Sequence, residues 1–376
     1  MKKLFIIAAA AVAVLAACTK TEGNTTPDRA ISFQVANYVP QTKAGEVKFP
    51  ETQTFTTYAW FHPTSGSSQV FMDGETIKWQ ASSKTWASDR LYFWPKTGDI
   101  NFYSYAGSPE PAVTDGEAKY ENKTIAIDDD ALLASAAHHY GFADSAENVY
   151  NTLTYGTDTD VTGVPTLFHH VLAKVSFKVV FSAEGIKDTK YKWDLLVNSA
   201  SVEYANKGSL TVAFADNSYK RQVWPYTTAG YNWVPKSGEA NVEQAAPAGT
   251  NAVAFNGTAN KQTVTANAAG TAKSDGIIIL DEITVMPQDV TSATGSAAKF
   301  NLNYTLTSYY DGTQHIVETV NLEDIVLADK FTSAINAWNM NYKYTYTITI
   351  KPNKTVTFDP AVEAWETGAS AYTYPE

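Results

Sequence analysis

Histidine and cysteine are the residues of this chain most able to bind a metal or carry out catalysis, and their positions favour neither. The histidines include two adjacent pairs, and neighbouring side chains on a strand point to opposite faces, so a pair cannot easily supply two ligands to one metal. No nucleophile elbow, phosphate-binding glycine loop, dinucleotide fingerprint or zinc-binding His-Glu-x-x-His helix occurs. We therefore expect no enzyme activity, no cofactor and no metal site at the histidines, which are His62, His138, His139, His169, His170 and His315.

The single cysteine, Cys18, stands at the end of a secretory leader. Lys2 and Lys3 precede an apolar run over residues 4–17, which is too short to anchor the chain across a bilayer. The sequence Leu15-Ala16-Ala17-Cys18 resembles the lipobox of bacterial lipoproteins. That resemblance implies a signal peptide over residues 1–17, cleavage between Ala17 and Cys18, and acyl chains such as palmitate on the thiol; the alternative is an ordinary signal peptide with an accidental cysteine.

Composition indicates a folded, acidic chain. Its 376 residues are 44% hydrophobic, 13% aromatic and 18% charged, which excludes intrinsic disorder and allows two or three domains. The formal net charge is −11, and no basic run follows the first three residues. Nucleic acid is therefore not an expected partner.

The elements that would position any functional residue are strands. Apolar and polar residues alternate over residues 31–36, 174–181, 302–307 and 341–350, and the alternating segments are separated by turn signals such as Asp311-Gly312. Only residues 131–137, preceded by three aspartates, favour a short helix or capped turn. The pattern predicts an all-β chain of two antiparallel β-sandwich domains, with a boundary near residues 157–165.

Two features suggest contact with sugars. Tryptophans could stack on sugar rings, although most aromatic residues of a sandwich pack in its core; those considered are Trp79, Trp86, Trp94, Trp224 and Trp233. Asp144-Ser145-Ala146 resembles a short bacterial acceptor sequence for O-glycosylation, which would modify Ser145.

Several segments in order along the chain resemble the fimbrillin family, the subunits of type V pili of anaerobic Gram-negative gut and oral bacteria. They include Ile31-Ser32-Phe33-Gln34-Val35, Trp94-Pro95-Lys96, Phe168-His169-His170, Asn206-Lys207-Gly208, Tyr342-x-Tyr344-Thr345-Tyr346 and Phe358-Asp359-Pro360-Ala361-Val362. The resemblance implies transthyretin-like β-sandwich domains over residues 44–164 and 165–354. It also implies a tether and propeptide strand over residues 18–43, and a last strand with a candidate donor tail over residues 355–376.

The family's assembly mechanism can be placed on these residues. A trypsin-like protease would remove the first strand, residues 31–39, whose Ile31, Phe33 and Val35 fill a groove beforehand. The cleavage position matches Lys43, followed by Ala44, where the family has arginine; a protease strict for arginine would cut at Arg29 and leave the groove closed. A neighbour's C-terminal strand would then enter the groove, and its candidate residues are Val356, Phe358, Trp365, Tyr372 and Tyr374.

Two readings of this donor tail stay open. Residues 356–365 could be the donor, or they could be the last strand of the second domain, which would leave residues 369–374 as the donor.

The expected function is a structural subunit of a cell-surface fimbria that supports adhesion. Its partners would be other fimbrial subunits, the maturation protease, the outer membrane through the lipid before processing, and a host or bacterial surface ligand. The lipidated precursor would lie in the cell outer membrane, and the processed subunit in the extracellular fimbrium. The alternative is a non-polymerising surface lipoprotein, a pilus tip adhesin or an anchor, with glycan binding as its activity.

Overall fold

The computed structural model describes residues 30–38, 46–93, 95, 98–139, 163–214, 233–290, 297–330, 336–365 and 371–372. Over these residues the regular secondary structure is almost entirely β-strand, with one short 3-10 helix, Leu327–Lys330, and no α-helix. The strands of the N-terminal half are β1 (Phe33–Tyr38), β2 (Glu46–Lys48), β3 (Thr54–His62), β4 (Gln69–Gln80), β5 (Thr85–Ala87), β6 (Asp99–Ala106), β7 (Ala112–Thr114), β8 (Glu117–Thr124), β9 (Leu132–His139) and β10 (Val164–His170).

The remaining strands belong to the C-terminal half of the chain. They are β11 (Ala173–Phe181), β12 (Tyr191–Tyr204), β13 (Lys207–Ala213), β14 (Val234–Pro235), β15 (Val242–Ala245), β16 (Ala248–Gly249), β17 (Lys261–Thr265), β18 (Ile277–Val285), β19 (Gln288–Asp289), β20 (Lys299–Tyr310), β21 (Thr313–Val326), β22 (Ala337–Trp338), β23 (Tyr342–Ile350), β24 (Val356–Ala364) and β25 (Ala371–Tyr372).

The N-terminal sheet closes on itself. Its strand order is β10-β9-β6-β3-β4-β5-β1-β2-β25, and β10 also pairs with β1, so the strands from β10 to β1 form a ring. Most of its pairings are antiparallel, and the β1–β10 pairing is parallel. Aromatic side chains fill the interior, among them Phe49, Phe55 and Phe168, all less than 3% exposed. β1 is therefore the strand that closes the ring around an aromatic core.

The C-terminal half is a pair of sheets packed face to face. One has the order β16-β18-β11-β23-β24, and the other β15-β12-β20-β21 with β17 also on β12. Phe177 of the first sheet stacks on Phe300 of the second, with ring centroids 4.9 Å apart and planes at 8°. Alternate residues of β11 and β23 are buried, as their sequence alternation predicts. The expected all-β class with antiparallel sheets is confirmed.

A small antiparallel sheet connects the two halves. Its order is β14-β13-β8-β7, so β13 and β14 of the C-terminal half pair with strands of the N-terminal half. A separate apolar cluster between the halves contains Tyr120, Leu210, Trp233 and Trp365. β10 starts at Val164 and still pairs with the N-terminal sheet, so the chain passes to the next sheet at residues 171–172. The predicted domain division at residues 164/165 stays a prediction.

The helix expected over residues 131–137 is wrong, because this segment belongs to β9. Leu132 lies in the core of the ring, and the adjacent Leu133 lies in the cluster between the halves. With both faces of the strand buried, apolar residues occupy both, and the alternation typical of a strand disappears. β9 pairs with β6 over its whole length, and this pairing outweighs the helix propensity of its alanines.

No helix within the described ranges is both long and apolar enough to cross a bilayer.

Candidate assembly site

β1 is bound along both of its edges. Five of its residues, Phe33 to Asn37, pair in parallel with residues 164–168 of β10. On the other edge, residues 36–38 pair with β2, and Phe33 pairs with Trp86 of β5. Backbone hydrogen bonds extend this contact, since the amide of Ile31 donates to the carbonyl of Tyr92 at 2.7 Å. The first strand is thus an integral member of the sheet rather than a surface addition.

The three side chains that were predicted to fill the groove point into the core. Ile31 is 5% exposed, Phe33 0% and Val35 1%. The Phe33 ring lies edge-on to Phe55 and Phe102, at centroid distances of 5.7 Å and 5.8 Å. Edge-to-face pairs of this kind add about 0.5–1.5 kcal/mol each to the burial of the ring. Phe33 is therefore the main apolar anchor of the strand.

Gly163 allows β10 to approach β1 closely at its start. A Cβ atom on this residue would lie 2.8 Å from the carbonyl carbon of Phe33 and 2.9 Å from the carbonyl oxygen of Ser32. Real Cβ atoms do not come this close to backbone atoms. The next residue, Val164, donates its amide to that same Ser32 oxygen at 2.7 Å. Glycine at residue 163 is thus a requirement of the parallel pairing.

The geometry defines what removal of β1 would expose. β10 would have a free strand edge on one side, and β5 and β2 would have free edges on the other. Between the two sides would lie a floor containing Phe55 and Phe102. Unpaired edges of this kind readily accept another strand. Main-chain hydrogen bonds along β10 would hold such a strand, and apolar pockets would select its alternate side chains. The arrangement can therefore act as an acceptor for a strand of apolar alternation.

The first three candidate donor residues lie in or next to the chain's own last long strand. β24 pairs with β23 in an unbroken antiparallel register from Val356 to Ala364. Phe358 is 8% exposed and packs edge-on to Phe300 of the facing sheet. Trp365 is 1% exposed, and its ring stacks on His170 at 3.9 Å with the planes at 8°. In this structure, Val356, Phe358 and Trp365 stabilise their own subunit.

The last described segment lies beside the first strand. β25 pairs with β2, with Tyr372 opposite Glu46 and Ala371 opposite Val47. Because β2 also pairs with β1, the C-terminal segment is one strand removed from the strand that closes the ring. The remaining site residues predicted from the sequence lie outside the described residues. They are Ala17, Cys18, Arg29, Lys43, Ala44, Ser145 and Tyr374.

The tryptophans proposed as sugar platforms are mainly structural where they are described. Trp86 and Trp233 are each 3% exposed, and the indole of Trp233 donates to the carbonyl of Val171 at 2.7 Å. Trp79 is partly buried and lies against Trp86. Trp94 and Trp224 lie outside the described residues. Burial removes the ring faces of Trp86 and Trp233 from any ligand.

Two adjacent histidines are buried between the halves. The Nδ1 atom of His170 lies 2.8 Å from Asp130, and burial lowers the pKa of His170 against the raising effect of that carboxylate. Burial also lowers the pKa of His169 well below its ordinary value. Sequence reasoning missed the contact of His170 with Asp130 and Trp365, because all three are far apart in the chain.

The other histidines form no metal cluster that the structure describes. His62 lies 3.3 Å from Asp115, and His315 lies near the ring of Tyr310. The side chains of His138 and His139 are outside the described part. Across the described ranges, no group of three or more histidine, cysteine, aspartate or glutamate side chains is arranged to hold a metal ion.

Comparisons with known proteins give structural matches only. No protein-family model and no curated protein matches the sequence. A proposed cell adhesion protein from Bacteroides uniformis is 13% identical, with a TM-score of 0.41, over 91% of this chain and 100% of its own. One from Parabacteroides distasonis is 12% identical, with a TM-score of 0.42, over 90% of this chain and 100% of its own. The fimbrial anchor protein Mfa2 from Porphyromonas gingivalis is 13% identical, with a TM-score of 0.26, over 91% of this chain and 100% of its own.

Proposed function

We propose that this chain is a non-enzymatic structural subunit of a cell-surface fimbria of the type V class that supports adhesion. One observation carries the proposal: β1 closes the N-terminal ring between β10 and β5, and its removal would leave an apolar groove between two free strand edges. The names of the solved structures above, cell adhesion proteins and a fimbrial anchor, belong to the same class of function.

Assembly would proceed by exchange of a strand. A lipid-bearing precursor at the cell outer membrane would hold β1 in its own groove, and a trypsin-like protease would cut after Lys43 and release it. A neighbour's C-terminal segment would then pair along β10. Because the groove and the donor are different parts of one subunit, each contact is heterologous, and successive contacts build an open filament outside the cell.

The donor would be residues 366–376, which follow the buried Trp365. Fully extended, this segment spans about 36 Å at about 3.3 Å per residue. The described β1 is only six residues long, so the segment is long enough to replace it. Tyr372 and Tyr374 have the two-residue spacing of Phe33 and Val35, so both tyrosines would face the groove.

Limited trypsin treatment of the chain from residue 18, followed by N-terminal sequencing and electron microscopy, tests this function. We expect filaments whose subunits begin at Ala44. Lys43→Gln should prevent filaments, whereas the matched variant Arg29→Gln should form them normally.

Other results would contradict the mechanism. Filaments whose subunits begin at Cys18 or Ala30 would retain β1 and exclude an open groove. Cleavage after Lys43 that yields only monomers would favour the alternative, a non-polymerising lipoprotein, tip adhesin or anchor.

A further inference from the structure

A polar groove runs across the outer face of the β15-β12-β20-β21 sheet, on the opposite side from its core. Its cavity volume is about 470 Å³, within the range of small-ligand sites. Six polar residues of its lining are Ser201, Glu203, Glu243, Asn301, Asn303 and Asn321. We define these six as the polar groove and propose that it binds a neutral glycan.

Strand alternation builds the polar groove. Phe300 and Leu302 of β20 are buried in the core, so Asn301 and Asn303 point to the other face. The cross-strand register places Ser201 opposite Asn301, and Asn303 opposite Asn321. Short polar side chains from successive strands therefore meet in a continuous row.

A buried hydroxyl forms the floor of the polar groove. Ser201 is 5% exposed, and its Oγ donates to Glu243 at 2.6 Å. The amide of Asn301 donates to that same Oγ at 3.1 Å and to Glu203 at 3.2 Å. These bonds hold the side chains in fixed positions, and fixed donors and acceptors lose less entropy when they bind a ligand.

Two carboxylates face each other across the polar groove. Glu203 and Glu243 are directly opposite in the β12–β15 register. Like charges in this position destabilise a sheet. Further along the groove, Asp324 has the left-handed φ of 53°, which is strained for a residue other than glycine. Local conflicts of this kind concentrate at functional sites.

The chemistry of the lining selects the ligand class. Carboxylates only accept hydrogen bonds, whereas the side-chain amides of Asn303 and Asn321 each donate one hydrogen bond within this face, to Asn321 and Glu323, and carry a second N–H. The groove therefore offers both acceptors and donors to a sugar hydroxyl. The acidic lining also includes Glu323 and Asp324, and it would repel uronic acids, sulfated sugars and phosphates. Metal coordination is not indicated, since the described residues include no cluster of three or more histidine, cysteine, aspartate or glutamate side chains placed to hold a metal ion. A neutral glycan matches both the donors and the charge.

Affinity electrophoresis of the chain from residue 18 tests the proposal, in gels that contain mannan, galactan, xylan or dextran, with polygalacturonate as the anionic probe. We expect retardation by at least one neutral polysaccharide and none by polygalacturonate. Asn303→Ala and the isosteric Glu243→Gln should each weaken binding about tenfold, the effect of losing about one or two hydrogen bonds. Thr319→Ala, on the same sheet face outside the groove, should bind as the parent does.

The outcomes separate clearly once circular dichroism shows that each variant is folded. Loss of binding in both groove variants, with Thr319→Ala unchanged, supports the proposal. Absence of retardation by all four neutral polysaccharides overturns it. Retardation by polygalacturonate alone, or equal retardation of parent and groove variants, also overturns it.

Discussion

At the scale of single residues, Phe33 connects the stability of the precursor with its proposed activation. Its ring is fully buried and contacts Phe55 of β3 and Phe102 of β6. Within the proposed mechanism, a strand held by so large an anchor would stay in place until the chain is cut. Its departure in the proposed mechanism would leave a pocket lined by Phe55 and Phe102.

Phe33→Ala should destabilise the protein by about 3–5 kcal/mol, because it removes a buried ring and leaves a cavity. Urea denaturation monitored by tryptophan fluorescence measures this change. The control, Ile316→Ala, alters a side chain that is 58% exposed and should change the unfolding free energy by less than about 0.5 kcal/mol. Equal effects of the two variants would contradict the role assigned to Phe33.

The buried histidines predict a pH dependence of stability. Burial, with a smaller effect of His170, lowers the pKa of His169 in the folded state. The unfolded chain then binds more protons below its ordinary histidine pKa of about 6.5. The stabilisation is fully present above that pH and falls as the pH decreases, by up to about 1.4 kcal/mol per pH unit for each histidine.

Denaturation at pH 7.5, 6.5 and 5.5 checks this dependence. His169→Gln removes one titrating group and should lose less stability between pH 6.5 and 5.5 than the parent does. The exposed His315→Gln should keep the parent's dependence. Identical slopes for all three proteins would refute the assignment.

At the scale of elements, β24 determines where a donor segment can begin. It pairs with β23 over its whole length, and Trp365 at its end is buried against His170 with the Lys174 ammonium 4.8 Å from its ring. Withdrawal of β24 would open the C-terminal sandwich. In the proposed mechanism, residues 366–376 would leave without that loss, and of the described pairings only that of β25 with β2 would be broken.

Deletion of residues 366–376 should therefore abolish filaments while the unfolding free energy of the monomer stays within about 0.5 kcal/mol of the parent. Trp365→Ala should instead lower it by about 3–5 kcal/mol. Electron microscopy of both variants measures filament formation, and denaturation measures the unfolding free energy of each monomer. Filaments of normal length from the deleted chain would show that the donor lies elsewhere.

Element by element, the sequence predicted strands well where one face is buried and the other is exposed. Residues 174–181 and 341–350 alternate and fold as β11 and β23, and Asp311-Gly312 forms the turn between β20 and β21. The prediction failed for residues 131–137, because both faces of β9 are buried. The pairing of β13 with β8 and the parallel contact of β1 with β10 join distant segments, and local patterns carry no information about them.

The candidate site was predicted unevenly for the same reason. The alternation of Ile31, Phe33 and Val35 indicates a buried face directly, and all three are buried. The polar groove depends on the register of four strands, which places Glu203 opposite Glu243 although they are far apart in sequence. A sequence without an alignment does not reveal such pairs.

At the scale of the whole molecule, the first and last segments of the described chain lie in one sheet. β25 pairs with β2, and β2 pairs with β1. Within the proposed mechanism, one cut between β1 and β2 would open the groove and remove the strand next to β2. Acceptor and donor would thus become available at the same end of the subunit, and assembly would depend on the concentration of cut subunits.

A free peptide of residues 30–38 should therefore inhibit assembly. Added in excess during cleavage, it would reoccupy the groove through the β10 register and through Phe33, and filaments should shorten as its concentration rises. A scrambled peptide of the same composition lacks the alternation and should have no effect, and a peptide with alanine in place of Phe33 should inhibit at least tenfold less well, since the lost burial exceeds about 1.4 kcal/mol. Filament lengths from electron microscopy measure the effect. Equal lengths with the native and scrambled peptides would mean that the acceptor is not the site that β1 occupies, because a groove built for that strand must prefer its sequence.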